Sequence, residues 1–199
     1  KQLNFKFYAD QQVQYEFQER VVLRLEKLRR NKKDEIQAIC AVHESGHAIV
    51  SAILLKCIPE SVFSATTNSD NRGFVFTKMR WDYISKGELR NQVAALYGGY
   101  AAEKIIFGEE NLTNGSESDI QKATNLVCDM LKNCGFDMFP AAFQNAHPDT
   151  NLFLTDDDGI LNKKAQEILI SGLRLALQTL KTQKRLLLKM SEYLANNRS

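Results

Sequence analysis

Proline is scarce in this 199-residue chain, with 3 residues, and glycine contributes only 10. So few helix breakers leave room for long helices. Cysteine is sparse too. Cys40, Cys57, Cys128 and Cys134 form no CxxC pair and are too few for a disulfide scaffold, so they read as reduced thiols of an intracellular protein. An excess of one charge is also lacking: 26 Lys and Arg stand against 24 Asp and Glu, a net charge of +2. That balance excludes the clustered basic surplus of a nucleic-acid binder. No run of 18 apolar residues occurs, so nothing in the chain spans a bilayer as a helix. The longest apolar-rich window, 38–55, is interrupted by His43, Glu44 and His47. The chain opens on Lys1 with no signal peptide and reads as a fragment or processed form, with room elsewhere for further domains or a membrane anchor.

What is present is ordinary globular material, 44% hydrophobic and 25% charged, which excludes disordered and fibrous classes. Val13, Phe17, Val21, Val22, Leu25 and Leu28 recur with a helical period across residues 11–30. The basic cluster that follows (Arg24, Lys27, Arg29, Arg30, Lys32, Lys33) suits a solvated helix C-terminus. Asp34 is placed to cap a second helix to about Leu55, with Pro59 ending it. Val62, Phe63, Phe74, Val75 and Phe76 flank a polar turn and predict a β-hairpin. A third helix is expected over 86–107, stopped at Gly108. A fourth starts from Ser116 or Ser118 and runs to Asn133, and a last helical region covers 160–196 as two helices. The fold class is mostly α, with a small β-hairpin and a C-terminal helical hairpin.

The chemistry concentrates in His43-Glu44-Ser45-Gly46-His47, an HExxH. Positions i and i+4 share a helix face, so both imidazoles can reach one metal ion. Glu44, one residue after the first histidine, can hold and deprotonate a metal-activated water. With 3 histidines and 13 glutamates, chance gives this pattern in roughly 3 of 1,000 such chains. The alternative, two histidines satisfied inside a core, leaves the matching carboxylate unexplained. Gly46 is a poor helix former and implies that something packs closely against it.

A catalytic zinc needs a third protein ligand, and chemistry alone offers His147, Glu103 and Asp119. His147 precedes Pro148 in a loose segment. Glu103 lies on a helix whose small residues, Gly98-Gly99-Tyr100-Ala101-Ala102, permit close packing on the HExxH helix. Asp119 sits in a first helical turn, where any carboxylate is favoured by the helix dipole, with Glu117 nearby. The run Asp156-Asp157-Asp158-Gly159 lacks calcium-loop spacing and reads as a helix start.

Three segments and the chain's end together resemble the FtsH-type AAA proteases, in their zinc peptidase domain. The stretch 41–50 around HExxH resembles the family's metal helix. Residues 96–108 resemble its GGRxAE segment, 115–124 the stretch that brings a third ligand, and 160–196 its closing helices. The resemblance implies a zinc endopeptidase in which His43, His47 and Asp119 bind Zn2+ and Glu44 is the general base. Glu103 then supports the ligands or packs beside them. It further implies that a polypeptide substrate lies as an added strand beside a β edge, with 73–78 the matching segment, and that main-chain pairing gives low sequence specificity.

Family members assemble as hexameric rings, so homo-oligomerisation is carried over as an expectation. Tyr100 stands where the family has arginine, Ser45 replaces its usual alanine, and no GxxxxGK[ST] phosphate-binding loop occurs in the chain. The expected organisation is a basic helical segment, 1–33, followed by a zinc metallopeptidase domain, 34–199. The competing reading is a catalytically silent helical module with structural zinc or none, acting in assembly. The expected location is intracellular, cytoplasmic or organelle-facing.

Overall fold

The apolar, glycine-containing stretch around His43 forms helix α2, Glu35–Leu54, against which five of the other helices pack. The computed structural model describes residues 2–31, 34–64, 73–76, 83–136, 140 and 159–197. His147, the Asp156–Asp158 run and most of the hairpin turn lie outside the described residues. Preceding α2 is α1, Gln2–Arg30, which starts earlier than the apolar period alone suggests. After it come strands β1, Ser61–Phe63, and β2, Phe74–Phe76. Then follow α3, Lys86–Leu96, α4, Gly98–Phe107, and α5, Glu117–Lys132. The chain closes with α6, Ile160–Thr182, and α7, Lys184–Asn197. The strands pair antiparallel, Ser61 opposite Phe76, Val62 opposite Val75 and Phe63 opposite Phe74. The protein is mostly α, as its sequence predicts.

Asp34 occupies the N-cap of α2, but its side chain makes no capping bond and accepts from Asn31 Nδ2 at 2.6 Å instead. The helix ends ahead of Pro59: the Leu55 N–H donates to the Ser51 carbonyl, and Lys56 takes a left-handed φ of 56°. The single helix expected over 86–107 is two. The break falls at Tyr97, just before Gly98-Gly99, and lets α4 turn to cross α2. Sequence periodicity runs through this joint because both halves keep an apolar face.

Two apolar cores position the elements. The larger joins Val21 and Leu25 of α1, Val42, Ile49 and Val50 of α2, Ala101, Ala102 and Ile106 of α4, Leu180 of α6, and Leu187 and Leu188 of α7. The smaller joins Leu89 and Val93 of α3, Ala123, Val127 and Leu131 of α5, and Ala165 of α6. The α5 residues fall at i, i+4 and i+8, one stripe of a helix whose other faces are polar. Burying Val127 and Leu131 contributes about 1.5–3 kcal/mol each relative to exposure. That stripe docks α5 on α3 and α6 and so fixes where its N-terminus points. The two last helices part company: α7 lies mainly against α2 and α1, α6 against α3, α5 and α4. Among the described residues no helix is long and apolar enough to cross a membrane.

Candidate metal centre

The crossing of α2 and α4 builds the site, and glycine permits it. A Cβ at Gly46 would strike the Gly98 carbonyl and lie 2.6 Å from the Ala102 Cβ. A Cβ at Gly98 would lie 2.8 Å from both the Gly46 carbonyl oxygen and the His47 Cα. A Cβ at Gly99 would run into the His43 ring. Two helix backbones therefore meet at the HExxH turn, as the poor helix propensity of Gly46 implies.

His43 and His47 project from one face of α2, their ring centroids 4.7 Å apart. The start of α5 brings Asp119 to the same point. Asp119 Oδ2 lies 3.2 Å from His43 Nε2 and 3.1 Å from His47 Nε2, and the two Nε2 atoms are 3.0 Å apart. Ligand atoms of a tetrahedral zinc with bonds of 2.0–2.1 Å sit about 3.3 Å from one another. The triangle thus has nearly the dimensions of one face of that tetrahedron. Each of the three side chains is 11–16% exposed, enough to leave one approach open.

The remaining ring nitrogens are held. His43 Nδ1 lies 2.8 Å from Glu103 Oε1, and His47 Nδ1 donates to the Ala95 carbonyl at 2.9 Å. In the neutral form with the hydrogen on Nδ1, the form in which an imidazole can ligate, both Nε2 lone pairs would turn to the shared point. Glu103 is fully buried, and its second oxygen, Oε2, accepts from the Thr113 backbone N–H at 3.2 Å and the Thr113 hydroxyl at 2.9 Å. Glu103 therefore reaches a histidine and not the ligand triangle. Among the described residues, His43, His47 and Asp119 are the group whose ligand atoms converge, all within 4.8 Å. Glu117 is exposed, and its Oε1 accepts from Gln121.

Without a metal the cluster is strongly polarised. Burial works against a charge on His43, but hydrogen bonds to Asp119 and Glu103 outweigh it and raise its pKa to about 10. Burial likewise opposes ionisation of Asp119, yet its contacts with His43 and His47 hold it well below the usual carboxylate range. Lys122 Nζ adds a positive charge 3.5 Å from Asp119 Oδ1. A cation entering here displaces the proton on His43 Nε2, so its binding weakens as the solution becomes more acidic. Glu44 is buried next to the histidines, and desolvation raises its carboxyl, partly offset by both imidazoles. A Cβ at Gly73, the residue before β2, would lie 2.7 Å from Glu44 Oε1, so a bare backbone runs beside this carboxylate.

Sequence reasoning did not single out Thr113 or the His47 tether to Ala95. Thr113 falls in what reads as a plain loop. In the structure it caps a 3₁₀ turn at Asn114–Ser116, its hydroxyl accepting from the Gly115 N–H at 3.2 Å. Ser116 occupies the N-cap of α5 without making a side-chain cap.

The sequence model of peptidase family M41 matches residues 30–197. The chain is 31% identical over 123 residues to a chloroplastic ATP-dependent zinc metalloprotease FTSH from Capsicum annuum, covering 59% of this chain and 19% of that protein. It is 34% identical over 127 residues to the ATP-dependent zinc metalloprotease FtsH 4 of Synechocystis, covering 59% and 19%. Against FtsH of Buchnera aphidicola it is 36% identical over 98 residues, covering 48% and 16%. The chain spans less than a fifth of the length of these curated relatives.

Proposed function

The chain belongs to peptidase family M41, and from that premise we propose that it is a zinc-dependent endopeptidase acting on unfolded or extended polypeptides. The observation that carries this reading is the triangle of His43 Nε2, His47 Nε2 and Asp119 Oδ2, with Glu44 one residue beyond the first histidine. These three residues would hold the zinc. When bound, it supplies Lewis acidity and a lowered water pKa, the chemistry peptide hydrolysis needs at neutral pH.

The chain's own residues do the rest. Glu44, buried and raised by desolvation, takes a proton from the attacking water and returns it to the amine leaving group. Ala95 and Glu103 fix the two imidazole orientations through their Nδ1 atoms. An extended substrate pairs with the β2 edge, which among the described residues has β1 as its one strand neighbour, and Gly73 leads that edge to Glu44.

We place the peptidase domain at 34–199, with 1–33 as a basic helical approach to it, and expect homo-oligomeric assembly. No disulfide joins the four cysteines, which fits an intracellular or organelle-facing location. The test is hydrolysis of casein by the purified, zinc-loaded chain, abolished by a chelator and restored by stoichiometric zinc. A chain that holds zinc at full occupancy yet leaves casein and short unfolded peptides intact would support the silent assembly module instead.

A further inference from the structure

Glu103 carries a carboxyl group into a fully buried position, and such a polar group is tolerated only when its oxygens are occupied. One oxygen is taken by His43. Among the described residues, the other is taken by Thr113, through its backbone N–H and its hydroxyl. The hydroxyl has little choice in the matter. Glu103 Oε2 accepts from the Thr113 N–H as well, so the hydroxyl gives its one hydrogen to that oxygen while its own oxygen accepts from the Gly115 N–H.

The same Thr113–Gly115 turn leads directly into α5, the helix that delivers Asp119. We propose that Thr113 is a positioning residue of the metal centre, its hydroxyl locking Glu103 against His43 while its turn sets the approach of Asp119. One side chain thereby ties the carboxylate behind a histidine to the segment that supplies the acidic ligand. This rests on the reading of His43, His47 and Asp119 as zinc ligands.

Removing the hydroxyl leaves Glu103 Oε2 with the backbone donor alone and frees the carboxylate to turn. The His43 ring then loses its fixed orientation. Loss of such outer partners typically weakens metal binding 10- to 100-fold. A structural role alone predicts lower stability of the metal-free chain with zinc affinity unmoved.

The experiment is zinc affinity by competition with a chromophoric chelator, alongside thermal unfolding of the metal-free chain. The proteins are wild type, Thr113→Val, Thr113→Ser, Glu103→Gln and the Thr113→Val/Glu103→Gln double variant. Thr113→Val should bind zinc about tenfold more weakly, and Thr113→Ser should match wild type. In the Glu103→Gln background, Thr113→Val should add only what it exerts through the turn before α5, so the two losses should combine to clearly less than their sum.

Wild-type affinity in Thr113→Val, an equal loss in Thr113→Ser, or fully additive losses in the double variant would overturn the proposal. Thr113→Ala serves as a second hydroxyl-free variant. If neither it nor Thr113→Val folds, Thr113 is a determinant of the fold and the proposal falls. A wild-type chain that binds no zinc would bring down the ligand reading, and the proposal with it.

Discussion

Glu44→Gln is expected to lower casein cleavage by about 10²- to 10⁴-fold, the usual worth of a positioned general base, while zinc content stays at one per chain. Glutamine keeps the shape of the buried side chain and removes only its ability to take a proton. The folded state should not suffer. Burial raises the Glu44 carboxyl, so in the metal-free chain its favourable contribution is confined to acid, below the ordinary carboxylate range. That contribution is lost as pH rises toward the raised folded-state value. Once ionised, the buried carboxylate is thus a burden on folding that glutamine does not carry. Thermal unfolding of the metal-free variant should occur at the wild-type temperature or above. Retained cleavage in a fully zinc-loaded Glu44→Gln protein would remove Glu44 from the mechanism.

Asp119→Asn should weaken zinc binding by on the order of 10²-fold or more, since a charged ligand of the triangle is replaced by a neutral amide. Helical content should be unchanged, because α5 is docked by Ala123, Val127 and Leu131 rather than by its first turn. Glu103→Gln separates a ligand from a supporter. Its carboxylate touches His43 and Thr113, so zinc should remain stoichiometric with affinity 10- to 100-fold lower. Chelator competition and circular dichroism on both variants check this. Loss of zinc in Glu103→Gln with retention in Asp119→Asn would exchange the two roles.

The HExxH pair was readable because i, i+4 spacing carries its own geometry: once the segment is a helix, His43 and His47 must share a face. Gly46 and the Gly98-Gly99 pair announced a close approach, and the crossing of α2 and α4 is what they serve. Asp119 was not fixed by local chemistry. Its place depends on how the α5 stripe docks on α3 and α6, a tertiary fact that no local spacing carries. The break at Tyr97 escaped because the apolar period continues through it. Thr113 escaped because a threonine in a loop takes its meaning from a buried carboxylate ten residues earlier.

X-ray absorption at the zinc edge of the loaded chain tests the centre most directly. The account predicts one zinc per chain with nitrogen and oxygen neighbours alone, two of them imidazole nitrogens at about 2.0–2.1 Å showing outer-ring scattering. Sulfur neighbours at about 2.3 Å, a single imidazole, or no stoichiometric zinc would contradict it.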